Sequence, residues 1–290
     1  MKTIQTLIAD IYKKVGSDDG WFDEALAREF SQELGTRLVE TIAPRNQVPT
    51  LRLSKMGPSC ERALWYSIHS PELAEQLPPS AKIKYIYGHI LETFVIAMAK
   101  AAGHEVTGEQ DAVTVDGITG HRDCVIDGCI VDVKSCSSLA FKKFEDKTIV
   151  EEGNDSFGYL DQLDGYLCGS SHDPLVRVKD RAYILAIDKT LGHLCLYEHK
   201  LREQSIRDRI KLYKEITARP LPPRCTCETV AEGKSGNIKL GTRASYSGFK
   251  HSCFPALRTF LYAKGPVFLT HVERIPDVPE ITKEGGFVQH

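Results

Sequence analysis

The chain has 290 residues, 42% of them hydrophobic, with 37 basic and 39 acidic side chains and a formal net charge of −2. That length can bury a substantial core, and the charge balance excludes a general positive field, so contacts with a polyanion need local basic clusters. No apolar run approaches the roughly 20 residues that span a bilayer, so no membrane partner is expected and the expected location is cytoplasmic. Ile4, Leu7, Ile8, Ile11 and Val15 have helical spacing, with Gly16 as a stop, and do not read as a secretion signal. Phe22, Leu26, Phe30, Leu34 and Leu38 recur every fourth residue and predict a second helix. Residues 1–50 therefore read as a helical N-terminal cap, with Pro44 and Pro49 bracketing its connection to the rest.

A long apolar helix is expected over 85–102, ending at Gly103. Strands follow at 112–115 and 120–126, then a turn at Asp127-Gly128 and a strand at 129–135, an arrangement typical of a hairpin. Residues 157–167 read as a helix, 181–187 and 193–197 as strands, and 201–216 as a charged helix. The order helix, strands, helix, strands, helix predicts an α/β core over 51–220, a mixed sheet flanked by helices. Residues 221–290 read as an irregular, Pro/Gly-rich C-terminal lid.

The densest chemistry lies in the strand Cys129-Ile130-Val131-Asp132-Val133-Lys134-Ser135 and in Asp123 just upstream. Side chains alternate along a strand, so Asp132 and Lys134 share a face while Val131 and Val133 take the other. A carboxylate and an ammonium on a half-buried face are costly to desolvate, and a hard divalent cation held by Asp123 and Asp132 would offset that cost. Lys134 would then stand beside a metal-bound water, placed to steer or deprotonate it. Acid-x-Lys alone is common by chance and more often marks a solvated strand edge.

Two further motifs shift that balance. Gly88-His89-Ile90-Leu91-Glu92 puts a carboxylate in an apolar helix, either on a polar stripe with His89 and Lys100 or aimed at the metal. Gln162 and Tyr166, four apart, share a helical face with Tyr159 one turn earlier. They form either an aromatic packing edge or a donor pair for a phosphate or the lysine amine.

Taken together, a Gly-x-x-x-Glu helix, Asp123, Asp132-x-Lys134 and a Gln-x-x-x-Tyr helix resemble the PD-(D/E)XK nuclease superfamily. The likeness lies with its RecB-like branch, which includes the CRISPR-associated iron-sulfur exonucleases, and covers about residues 53–197. The resemblance implies a restriction-endonuclease-like fold, with Glu92, Asp123, Asp132 and the Val133 carbonyl holding Mg²⁺ or Mn²⁺. It implies that Lys134 positions or activates the attacking water, and that Gln162 and Tyr166 contact substrate phosphate or support Lys134.

The same branch often carries a [4Fe–4S] cluster on one cysteine before the core and a Cys-x2-Cys-x5-Cys group after it. Cys60 matches the first position and Cys253 the last, but Ala244 and Ser247 stand at the other two. Two thiolates cannot hold such a cluster. The cluster was lost with packing in its place, or cysteines were replaced deliberately, or Cys225 and Cys227 substitute despite a poor Cys-x-Cys match. Four unrelated reduced cysteines are the plain alternative; the expectation adopted is a former cluster site that is now metal-free. Nine cysteines, an odd number in a long chain, in any case read as reduced thiols and not as a secreted disulfide scaffold.

Candidate DNA contacts are His121 and Arg122 beside Asp123, Ser135, and Lys142 and Lys143 within Phe141-Lys142-Lys143-Phe144. In that tetrapeptide lysines could meet phosphates and rings could meet bases, or it could start an amphipathic helix with Phe141 and Phe144 buried. Arg177, Lys179 and Arg181 form a second basic cluster. Arg202, Arg207, Arg209 and Lys211, interleaved with Glu203 and Asp208, read as a solvated helix. The expectation is metal-dependent, exonucleolytic DNA hydrolysis in recombination, repair or phage DNA processing, with a helicase or recombinase as possible partner and the host cytoplasm as location if phage-encoded. The alternatives are a non-catalytic nucleic-acid-binding module and a structural subunit of a helicase–nuclease assembly.

Overall fold

A computed structural model describes residues 2–18, 20, 22–42, 48–283 and 286–288; Pro44 lies outside them. In chain order the helices and strands are α1 (Leu7–Val15), α2 (Glu24–Ile42), α3 (Glu61–His69), α4 (Pro79–Ala101), β1 (Val106–Thr107), β2 (Ala112–Val115), β3 (Ile118–His121), β4 (Cys124–Ile126), β5 (Cys129–Cys136), α5 (Ser138–Glu145), α6 (Tyr159–Gly169), β6 (Arg181–Asp188), β7 (Leu194–Lys200) and α7 (Glu203–Thr217). The remainder comprises β8 (Thr229–Ala231), β9 (Ile238–Leu240), α8 (Thr242–Ser245), α9 (Lys250–Cys253), β10 (Arg258–Tyr262), β11 (Gly265–His271) and β12 (Glu280–Ile281). The chain divides into two units: 1–47, 51–57 and 78–208, and 48–50, 58–77 and 209–290.

The first unit holds a five-stranded mixed sheet in the order β1-β4-β5-β6-β7. Its pairs are antiparallel except β5 with β6. A parallel pair needs a crossover, and α5 and α6 supply it between β5 and β6. Central strands covered on both faces need apolar residues on both, and β6 is buried from Ala182 to Asp188. One face packs Val131, Val133, Tyr183, Leu185 and Ile187 against α1 and α4 through Leu7, Ile11, Val95, Ile96, Met98 and Ala99. By alternation Ile130, Asp132 and Lys134 point to the other face. This is the expected mixed α/β sheet flanked by helices, consistent with a restriction-endonuclease-like fold.

Two expectations are corrected. Residues 120–126 are not one strand: β3 pairs with β2 in a separate hairpin, while β4 joins the main sheet. The break falls at Arg122-Asp123, where the buried Arg122 side chain turns away to Asp111 and Asp173. The C-terminal segment is not irregular either. In the second unit it forms a five-stranded antiparallel sheet in the order β12-β10-β11-β9-β8, packed around Leu240, Ala244, Leu257, Phe260 and Leu269 with α8 and α9 between strands.

Candidate active site

The corner that carries Asp123 is set by unequal strand lengths. Pairing of β4 with β5 stops at Cys124 opposite Val131, while β5 runs on to Cys136 beside β6. Past Val131, β5 therefore has no β4 residue alongside, and Asp123 takes that place: the Val133 N–H donates to its Oδ2 at 2.7 Å. In a strand, the N–H and C=O of one residue point to the same edge, so the Val133 carbonyl faces the Asp123 side as well.

Asp132 is 1% exposed. Its Oδ1 accepts from Gln162 Nε2 at 3.3 Å, and its Oδ2 lies 2.5 Å from Lys134 Nζ. Oδ2 is buried, with that ammonium as its charged partner. Burial pushes the carboxyl up to about 7, with Lys134 opposing the shift and Asp123 adding to it. For Lys134, burial favours the neutral amine, but Asp132 and Asp123 outweigh it and hold the ammonium above its ordinary range. Its Nζ lies 5.2 Å from the centre of the Tyr159 ring, a cation–π distance.

Glu92 comes from α4, which covers the opposite face of the sheet, and lies within electrostatic reach of Asp123 and Asp132. Burial and then the Asp123 charge push its carboxyl up to about 8, against the pull of Arg37. Gln110 Nε2 donates to Glu92 Oε1 at 3.0 Å, an Arg37 nitrogen lies 3.6 Å from the same oxygen, and His89 Nδ1 is 3.8 Å from Oε2. With Glu92 engaged by Gln110 and Asp132 by Lys134, the three carboxylates do not close within 4.8 Å of one another as the sulfurs described below do. Two carboxyls raised by burial and neighbouring negative charge, the Asp123 carboxylate and a strand carbonyl are hard oxygen donors that fit Mg²⁺ or Mn²⁺.

The helix α6 owes its position to a close backbone crossing. Gly158, its N-cap, has φ +73°, and a Cβ there would lie 2.0 Å from the Cα of Gly57. Asp155 caps the first turn by accepting from the N–H groups of Tyr159 and Leu160 at 2.9 and 3.0 Å. So anchored, α6 directs Gln162 inward, where Nε2 also donates to Tyr166 Oη at 2.7 Å. Tyr166 is 1% exposed. The pair reaches Asp132 through Gln162, and the Tyr166 hydroxyl accepts from the same amide.

Arg122 is also corrected as a DNA contact. It is buried, ion-paired to Asp111 at 2.8 Å and Asp173 at 2.5 Å, and donates to Ser170 Oγ and the Gly108 carbonyl. It pins the 108–111 loop, where Gly108 has φ +59° and a Cβ would lie 2.6 Å from the guanidinium. His121 is exposed, Ser135 half-buried beside Lys134 on β5, and Lys142 exposed on α5. Lys143 donates to the Asn154 carbonyl at 3.1 Å. Phe141 and Phe144 are buried, so the rings that might have met bases serve the core. In the second basic cluster, Arg177 pairs with Glu105, Lys179 donates to the carbonyls of Ser170 and Asp173, and Arg181 pairs with Asp180.

Arg37 and Gln110 escaped the sequence reading. So did a buried group in which Asp164 accepts from Arg202 Nε at 2.8 Å and meets His199 Nε2 at 2.7 Å. The left-handed backbone at Gln110, φ +58°, is the local sign of the turn that delivers it, but no sequence spacing links it to Glu92.

In the second unit, Cys60, Cys225, Cys227 and Cys253 bring their sulfurs within 4.8 Å of one another. Cys60 Sγ lies 3.7 Å from Cys225 Sγ and 3.9 Å from Cys253 Sγ. The expectation that only Cys60 and Cys253 remain at this site is corrected: Cys225 and Cys227 join them. Ala244 is buried beside Leu240 and Leu257 in a cluster against which Cys227 packs, and Ser247 Oγ accepts from the Phe249 N–H at 3.2 Å.

No family model matches the chain, and no curated protein matches it. Among solved structures it is similar to SSO0001, with 16% identity over 77% of this chain and 95% of that one and a TM-score of 0.43. It is also similar to LHK-Exo in complex with dAMP, with 14% identity over 59% and 89% of the two chains and a TM-score of 0.39. A further likeness is to an alkaline exonuclease (LHK-Exo) from Laribacter hongkongensis, with 13% identity over 72% and 84% and a TM-score of 0.31. Likenesses of this size carry nothing about residues or activity. Among the described residues no helix is long and apolar enough to cross a membrane.

Proposed function

We propose that this chain is a Mg²⁺- or Mn²⁺-dependent deoxyribonuclease of the PD-(D/E)XK type, hydrolysing DNA from its ends in recombination, repair or phage DNA processing. The observation that carries the reading is Asp132: a carboxylate only 1% exposed, beside Asp123 and ion-paired to Lys134 on the same strand face. Folding alone gives no reason to desolvate that group, whereas a cation site does.

Glu92, Asp123, Asp132 and the Val133 carbonyl would hold the ion, which when bound neutralises charge on the attacking and leaving oxygens of a phosphodiester and acidifies a water. Lys134 keeps its proton under the influence of Asp132 and Asp123, so it acts as a fixed cation that orients the nucleophile and draws in the phosphate, not as a general base. Gln162, donating to both Asp132 Oδ1 and Tyr166 Oη, fixes the carboxylate rotamer. Tyr159 steadies the ammonium from its ring face.

The test is digestion of end-labelled linear DNA, single- and double-stranded, and of closed circular DNA, with Mg²⁺, Mn²⁺ or EDTA. Mononucleotide release from linear DNA only with the ions, and survival of the circle, are expected. An inert protein that binds DNA tightly would overturn the reading, and cutting of the circle would overturn its exonucleolytic part.

A further inference from the structure

The four cysteines are drawn from three places in the chain: Cys60 is the N-cap of α3, Cys225 and Cys227 lie between α7 and β8, and Cys253 ends α9. Sequence separations of 165 and 193 residues part Cys60 from Cys225 and Cys253. Chance proximity of four thiols from such distant segments is a weak account, because each buried sulfur could be replaced by an apolar group at no cost to packing. Sulfur pairs at 3.7 and 3.9 Å are far outside the roughly 2.05 Å of a disulfide, and every cysteine in the chain is free.

Their spacing decides what such a set can hold. Four thiolates on one tetrahedral zinc ion, each bond about 2.3 Å, stand about 3.8 Å apart. The two separations from Cys60, 3.7 and 3.9 Å, match that figure, and all four sulfurs lie within 4.8 Å of one another. A [4Fe–4S] core cannot fit in the same space. Each thiolate there binds a different iron, and four irons and four sulfides lie between the sulfurs, forcing them well apart. The ligand positions differ as well, since Ala244 and Ser247 offer no thiolate.

We infer that Cys60, Cys225, Cys227 and Cys253 form a site for a single tetrahedral thiolate-bound ion, Zn²⁺, and not for an iron-sulfur cluster. The surroundings suit thiolates on a structural ion. Cys60 is the N-cap of α3, so its sulfur sits at the positive end of that helix. Ala63, Phe249 and Phe254 pack against the cysteines, of which Cys60 and Cys253 are buried and Cys225 and Cys227 half-buried. With four protein ligands the site is closed, so its role is to tie together the two ends of the second unit and not to catalyse. This inference is independent of the nuclease reading, which rests on a different unit and on carboxylates.

The test is elemental and acid-labile sulfide analysis of the full-length protein purified under reducing conditions, with Co²⁺ substitution read by visible absorption. About one zinc per chain without sulfide, and Co²⁺ spectra of tetrahedral thiolate type, are expected. Cys227→Ser should lose most of the zinc, whereas Cys195→Ser, on β7 in the first unit, should retain it. Should Cys227→Ser fail to fold, thiol counting on the wild type answers instead: zinc should shield four cysteines that react once a chelator is added. Iron with matching sulfide, four reactive thiols without metal, or disulfides among the four would each overturn the inference.

Discussion

Replacing Glu92 by glutamine separates what a carboxylate does for folding from what it does for an ion. The glutamine keeps the size, while the charge that burial and Asp123 penalise is gone. Glu92 and Asp132 have folded-state pKa values raised to about 8 and about 7, so in the metal-free protein the stability linked to them is fully present below the ordinary carboxylate range and is lost as pH rises through those values. Without divalent ions the wild-type Tm should therefore fall between pH 5 and pH 8.5 more steeply than that of Glu92→Gln. At pH 8.5 the variant should melt higher by about 2–4 °C, the equivalent of about 1 kcal/mol. Added Mn²⁺ should reverse the order, because binding requires deprotonated carboxylates. Equal pH slopes by scanning calorimetry would refute the coupling. At the same scale, Asp132→Asn and Lys134→Ala should each lower cleavage by at least ~10²–10³-fold while the circular dichroism spectrum stays native, since each removes charge placed for the transition state. The acid-x-Lys pair was legible because strand alternation puts both on one face. Arg37 and Gln110 were not, because what links them to Glu92 is tertiary: neither has a fixed spacing from it in the chain.

Among the elements, those with one strong period were readable. Helix α4, the β4–β5 hairpin around Asp127-Gly128 and the pair β6–β7 follow from apolar runs and a turn dipeptide. The second sheet was not readable, since β8 to β12 are two to seven residues long and their burial alternates poorly, with β8 exposed throughout. Such strands are specified by their pairing partners, not by their own sequence. For the short helix α5 the sequence left two readings open, a helix start with Phe141 and Phe144 buried or rings turned to bases, and packing against β6 and β7 settles on burial. The crossing of Gly57 and Gly158 makes the sharpest prediction for an element. Gly158→Ala combines a left-handed φ with a backbone clash and should destabilise the protein by about 2–5 kcal/mol in urea denaturation. The same change at Gly20, also at positive φ but with open space around it, should cost about 1 kcal/mol. Equal costs at the two sites would contradict the role of the crossing in seating α6.

For the molecule as a whole, the near-neutral charge means that, on the proposed reading, DNA affinity would come from a few local cations and the metal. Binding measured in Ca²⁺, to suppress hydrolysis, should fall with salt on a shallow log–log slope that corresponds to only a few phosphates. A slope typical of eight or more contacts would contradict that picture. The α/β class and the sheet flanked by helices were legible from the order of elements. The division into units was legible only in part: the expected link of Cys60 to the C-terminal cysteines points to 58–77 going with 209–290, while nothing in the sequence marks 48–50. The central claim is that Glu92, Asp123, Asp132 and the Val133 carbonyl converge on a divalent ion. Anomalous diffraction from crystals soaked in Mn²⁺ tests it most directly. The account predicts a manganese peak among those four groups that vanishes in Asp132→Ala; a peak elsewhere, or none there in the wild type, would contradict it.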